Sequence, residues 1–144
     1  METGNTSQHI SHKFDEEMES VRNKVLKMGG LVEKQVAGAL DALQDIDVVA
    51  AEKIIQRDHK VNALEVLIDE KCTRILAKRQ PAASDLRMVV AVIKTITDLE
   101  RMGDEAEKIA TMAMRISEHD GHFRSRYAGI RHLGEHVKRM LHNV

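Results

Sequence analysis

Between Phe14 and Leu43 the apolar residues fall at Phe14, Met18, Val21, Val25, Met28, Val32, Val36 (or Gln35), Ala39 and Leu43, alternating steps of four and three. Only an α-helix brings residues at that spacing onto one face, and the seam continues for about 30 residues. So long a seam cannot be buried by its own helix, and the chain must supply other helices to cover it. Composition agrees. Aromatic residues make up 2% of the chain, Pro occurs once and Trp is absent, which argues against β architecture, while 42% hydrophobic content over 144 residues suffices for one core.

Two further helices are predicted. Asp45 and Asp47 stand in a short polar break, where either can cap the next helix. That helix carries Ala50, Ile54, Val61, Ile68, Cys72 and Ile75. A single seam through these residues forces Asp58 and Glu65 into or beside core-facing positions, where carboxylates are costly. Lys78 to Pro81 closes the helix, and Pro81 or Ser84 to Asp85 opens a third from about Leu86 to Ile116, with Val90, Ile93, Ile96 and Leu99 on its apolar side. Three helices of matched length joined by short breaks imply an antiparallel up-down-up bundle. The polar stretch Ser117 to Ser125 is read as a loop. A fourth amphipathic helix follows, with Ile130, Leu133, Val137, Met140, Leu141 and Val144 on one stripe.

The expected organisation is thus an all-α chain: a frayed leader at 1–9, a three-helix bundle at 10–117, and a loop with the start of a fourth helix at 118–144. The stripe on that helix should be covered by its own bundle or by a second copy, and a homodimer is expected. Gly29 and Gly30 interrupt the first helix at a propensity cost of about 1 kcal/mol each, so either a partner packs tightly there or a kink is tolerated.

The third helix carries the densest chemistry. Glu100 and Asp104 stack one turn apart and repel each other unless a cation lies between them, beside a seam of small residues at Leu99, Gly103, Ala106, Ala110 and Ala113. Lys94, Arg101 and Lys108 lie four residues from acidic partners, so an ordinary salt-bridged face is the competing reading. Asp58 and Asn62 form a second pair of oxygen ligands. Folding the second and third helices back about Gln80, with a rise of about 1.5 Å per residue, places Asp58 level with Met102, between Glu100 and Asp104. Reflection about Asp45 to Ile46 brings Glu33 to the same height. Asp58, Asn62, Glu100 and Asp104 are therefore the expected metal ligands. Carboxylate and amide oxygens suit magnesium, manganese, calcium or iron, with zinc left open. No Glu has a His three residues later, which excludes the di-iron ligand pattern of ferritin-like bundles.

Other chemistries find no support. There is no glycine-rich phosphate loop, nucleophile elbow or Cys-x-x-Cys, and the lone Cys72 lies in an apolar seam. A net charge of −1 disfavours nucleic acid as a partner. No apolar run approaches the roughly 20 residues of a membrane span, and direct membrane insertion is not expected. The reading is a soluble protein of a reducing compartment.

Taken together, Met28-Gly29-Gly30-Leu31-Val32-Glu33, Ile68-Asp69-Glu70-Lys71-Cys72, Lys78 to Arg87 and Asp98 to Glu105 resemble the N-terminal half of the PhoU family of phosphate-uptake regulators. The resemblance implies one of two repeated three-helix bundles, with metal held by an acidic motif on the second helix (Asp58, with Asn62 departing from the acidic pattern) and another on the third (Glu100 and Asp104). It further implies a cytoplasmic, non-enzymatic negative regulator of the phosphate-starvation response. Its partners would be a sensor histidine kinase and the ATPase of a phosphate ABC transporter. A metal-dependent helical enzyme and a structural adaptor without metal are the alternatives, and a substrate-sized cavity beside Glu100 would favour the enzyme.

Overall fold

A computed structural model describes residues 3–119 and 128–143, with side chains placed from His12 to His119 and from His132 to Asn143. The described residues form four helices and no strand: α1 (Thr3–Asp45), α2 (Val48–Arg79), α3 (Ala83–Glu118) and α4 (Ala128–His142). The first three each pack against both of the others, and α4 lies on α1.

The helix boundaries follow from local chemistry. Asp47 caps α2 by accepting the Ala50 N–H at 3.1 Å. Among the described residues, Ile46 (φ 50°) and Gln80 (φ 42°) are the non-glycine residues in the left-handed region, and they sit at the two turns about which the chain is expected to reverse. Neither Pro81 nor Ser84 caps α3. Its N-cap is Ala82, which offers no side-chain acceptor, and Asp85 in the first turn supplies the favourable negative charge instead. One boundary departs from expectation: helix α1 reaches back to Thr3, through the stretch read as a frayed leader. That stretch lacks Pro, so a helix nucleated by the packed seam propagates into it at little cost.

The core is one cluster contributed by α1, α2 and α3. Met28, Val21 and Val32 of α1 meet Val61, Ile68 and Cys72 of α2 and Val89 and Ile96 of α3, all almost wholly buried. Each such side chain contributes about 1.5–3 kcal/mol on burial. Cys72 lies in this cluster as a small hydrophobe, its thiol pushed up to about 11 by burial first and by Asp69 second. The expected α3 seam is off by one residue at its start. Val89 is buried and Val90 is 40% exposed, because stepping back seven from Ile96 reaches 89.

Small residues set the interhelical distances, at Gly103 in the expected small-residue seam of α3 but not at the Gly29–Gly30 pair. A Cβ added at Gly29 or Gly30 would meet nothing within 4 Å, so no described residue packs tightly on that glycine pair, and the helix continues through it. The close approaches are elsewhere. A Cβ at Gly38 would lie 2.7 Å from Ile54 Cδ1, at Gly103 3.3 Å from Val61 Cγ1, and at Gly134 3.3 Å from Leu40 Cδ2. These three glycines bring α2 onto α1, α3 onto α2 and α4 onto α1.

Candidate metal centre

Asp58 is where the bundle places an acid in its own core. It is 6% exposed, and its Oδ1 makes no hydrogen bond. Its other oxygen accepts the Asn62 side-chain N–H at 3.3 Å. An isolated buried carboxylate oxygen is costly, and a structure retains one where a proton or a cation satisfies it.

The closeness of α3 decides what faces that oxygen. Because Gly103 has no side chain, α3 approaches until its backbone lies against Val61 and Asp58; a Cβ at Gly103 would be 3.4 Å from Asp58 Oδ1. Asp104 and Glu107, flanking that contact, then bring one carboxylate oxygen each into a group with Asp58 in which all lie within 4.8 Å of one another. Asp104 and Glu107 are half-buried.

Electrostatics follows from the crowding. Glu107 holds its proton above the usual carboxylate range, through burial first, then its hydrogen-bonding contact with Asp58, then the charges of Asp58 and Asp104. When protonated, Glu107 can donate to Asp58. Glu100 is raised in the same direction by burial, by contact with Asp104, and by the charges of Asp104, Glu65 and Asp58. Burial raises Glu65 too, followed by Asp69 and Asp104. The cluster therefore behaves as one excess of negative charge that protons partly relieve and that a multivalent cation would relieve further.

Of the four residues expected as ligands, the structure brings Asp58 and Asp104 together. Glu100 stands within electrostatic reach of both, outside the three-oxygen group. Asn62 is exposed and turns its amide N–H, not its oxygen, to Asp58. Glu107, absent from the expected ligand set, takes the third place, and the step of three from Asp104 that puts it on the same helix face is its signal in the sequence. Glu33, expected at the height of Asp58, belongs to another surface: it meets His142 Nδ1 of α4 at 3.0 Å. The inward residue at that height is Gln35, whose Nε2 donates to the Ile54 carbonyl at 2.7 Å.

Beside the cluster α3 lines an open groove of about 460 Å³ with Asp104, Glu107, Lys108, Thr111, Met112 and Arg115. No described residue of α4 lines it. Val137 and Leu141 pack toward the core cluster, Lys138 pairs with Asp41, and Leu133 (62%) and Met140 (58%) remain exposed. The expected stripe on this helix is thus split between a docked and an open side. Ile130 and Val144, the other members of that stripe, lie outside the described side chains, as does most of the expected loop.

Comparison with known proteins places these features. A family model described as "PhoU domain" matches residues 25–113. The chain is similar to the phosphate-specific transport system accessory protein PhoU of Serratia marcescens, with 48% identity over the whole chain and 58% of the relative. It is 44% identical to the protein of that name in Escherichia coli, again over the whole chain and 59% of the relative. A crystal structure of PhoU from Pseudomonas aeruginosa superposes with a TM-score of 0.85 at 47% identity, covering 90% of this chain and 61% of that one. The chain therefore spans somewhat more than half the length of these relatives.

Proposed function

Because this chain belongs to the PhoU family, we propose that it is a non-enzymatic, metal-holding helical module of a cytoplasmic phosphate-uptake regulator, one that restrains the phosphate-starvation response by linking a phosphate-specific ABC transporter to its sensor histidine kinase. Its relatives are named as accessory proteins of that transport system, which supports the regulatory part of the reading. The greater length of those relatives also leaves room for a second bundle beginning at α4. Among the described residues no helix is long and apolar enough to cross a membrane, in keeping with a regulator that meets the transporter at its soluble ATPase.

The observation that carries the metal part is the unpartnered, buried Asp58 Oδ1 within reach of Asp104 and Glu107. The donor set fits. Three carboxylates from two helices suit a hard cation such as magnesium, manganese or iron, and no thiol or His belongs to the group. Asp58, Asp104 and Glu107 would hold the ion, Asn62 would orient Asp58, and Glu100 would add negative potential from the next turn. The bound ion would neutralise the cluster and tie α2 to α3. The groove beside it reaches substrate size, the feature that would favour an enzyme. Its described wall, however, is a single helix whose only hydroxyl, on Thr111, already donates to the Glu107 carbonyl at 3.0 Å, and the arrangement fits binding better than turnover.

The test measures binding of the purified chain to the transporter ATPase and to the kinase sensor domain, with and without added Mn²⁺. Association with at least one, weakened by Asp104→Ala with Glu107→Ala, is the expected result. No association with either partner in any metal state overturns the regulatory reading. The open Leu133 and Met140 face of α4 is proposed as the contact of a homodimer.

A further inference from the structure

The groove next to the three carboxylates changes sign along its length. At one end stand Asp104 and Glu107; one turn on stands Lys108, and beyond Thr111 and Met112 stands Arg115. All six lie on one face of α3. Long side chains on a helix lean back toward its N-terminus, so Arg115 and Lys108 both incline toward the acidic end and not away from it. Lys108 makes an exposed pair with Glu105 at 2.9 Å, the kind of contact that rearranges at almost no cost.

This arrangement is poorly suited to a metal alone. Two basic groups at the mouth of a cation site oppose cation entry, yet they are placed to accept an anion that shares the ion. Three carboxylates would leave a hard cation with open coordination positions, and Asp104 and Glu107 also line the groove, so a cation they held would border it. An oxyanion there would bond the cation through one oxygen and present its others to an ammonium and a guanidinium.

We propose that this groove binds a phosphoryl oxyanion, either inorganic phosphate or a phosphomonoester, bridged between an ion held by Asp58, Asp104 and Glu107 and the side chains of Lys108 and Arg115. The proposal rests on the metal reading above. Without the cation the carboxylates repel a dianion, so binding is metal-dependent and the module senses phosphate only when loaded. Lys108 and Arg115 are exposed, and replacing them does not touch the core.

Calorimetric titration of inorganic phosphate into the full 144-residue chain, metal-free and Mn²⁺-loaded, decides the matter, with sulfate and phosphoserine in parallel. Phosphate should bind the loaded chain only. Lys108→Ala with Arg115→Ala should weaken it on the order of tenfold or more while Mn²⁺ uptake stays within about twofold of the parent. Phosphoserine binding in place of phosphate supports the same site and assigns its ligand to a phosphorylated partner. Sulfate binding as tightly as either overturns the phosphoryl assignment. A loaded chain that ignores phosphate and phosphoserine, or binds them equally after the double substitution, overturns this proposal alone. A chain that takes up no Mn²⁺ overturns the metal reading, and this one with it.

Discussion

Gly103 of α3 lies directly against Asp58 of α2: a Cβ at position 103 would stand 3.4 Å from Asp58 Oδ1 and 3.3 Å from Val61 Cγ1. The glycine therefore sets both the spacing of two core helices and the depth at which the buried carboxylate meets Asp104 and Glu107. Gly103→Ala gains about 1 kcal/mol of helix propensity and loses a similar amount to crowding against the fixed, β-branched Val61. Thermal stability should stay within a few degrees of the parent while Mn²⁺ affinity falls. Gly103→Leu should cost about 1–3 kcal/mol of stability, read from urea unfolding.

The carboxylate group divides its members by role. Asp104→Ala with Glu107→Ala is expected to abolish bound metal in elemental analysis without unfolding the bundle, because both residues border the core instead of filling it. Glu100→Ala should reduce metal content less, and Asn62→Ala least. Equal loss from all three variants would mean that the ion sits on Glu100 and Asn62 as well.

In the metal-free chain the same acids are a burden. Glu107→Gln replaces one of three crowded ionisable carboxyl groups with a neutral amide and keeps a donor for Asp58. It should stabilise the apo protein by about 0.5–1 kcal/mol, read as a higher melting temperature, while lowering metal uptake. A lower melting temperature would show that Glu107 stabilises the fold by itself.

At the opposite end of the bundle Arg79 Nη2 donates to Glu17 Oε1 at 2.7 Å and clamps α2 to α1. The hydrogen bond to Arg79 holds the Glu17 carboxyl below its ordinary 4.5, against the opposing effect of burial. A depressed carboxylate stabilises the fold above its unfolded value, and that contribution is lost as pH falls from about 4.5 through the lower folded value. Glu17→Gln should cost at most about 1 kcal/mol at neutral pH, since Glu17 is 40% exposed, and the difference from the parent should vanish in acid. Urea unfolding of the two proteins across the acid range checks the sign.

Among the described residues, α4 is held on α1 by the packing of Val137 and Leu141, by a close contact at Gly134 and by two polar pairs. Gly134 rests on Leu40, Lys138 pairs with Asp41 and His142 with Glu33. Gly134→Val should lift α4 from α1, seen as faster proteolysis after residue 128, with the three-helix unfolding transition almost unmoved. Leu133→Glu with Met140→Glu should leave that docking intact and turn a dimer into a monomer in sedimentation. Equal masses would remove the dimer reading.

Much of this molecule is legible in its residue spacing. The four-three seam from Phe14, the reversal points at Ile46 and Gln80, the Asp47 cap and the burial of Asp58, Ile68 and Cys72 are all consequences of helical periodicity and turn chemistry, and each is local. Periodicity states which side of a helix a residue occupies. It does not state how far one helix slides along another, and a slide of one turn is about 5.4 Å.

That offset is what the tertiary structure decided. Levelling the helices at Gln80 placed Asp58 between Glu100 and Asp104; the packed bundle slides it toward Asp104 and Glu107, because Gly103 and Val61 interlock there. The same freedom moved the inner seam from Val90 to Val89, gave Glu33 to α4 instead of the acidic cluster, and left Gly29 and Gly30 open while Gly38, Gly103 and Gly134 made the close contacts. The sequence by itself determined that a carboxylate would be buried in a helical bundle. Which two acids meet it was decided by side-chain interlocking between helices distant in the chain, and no single helix carries that information.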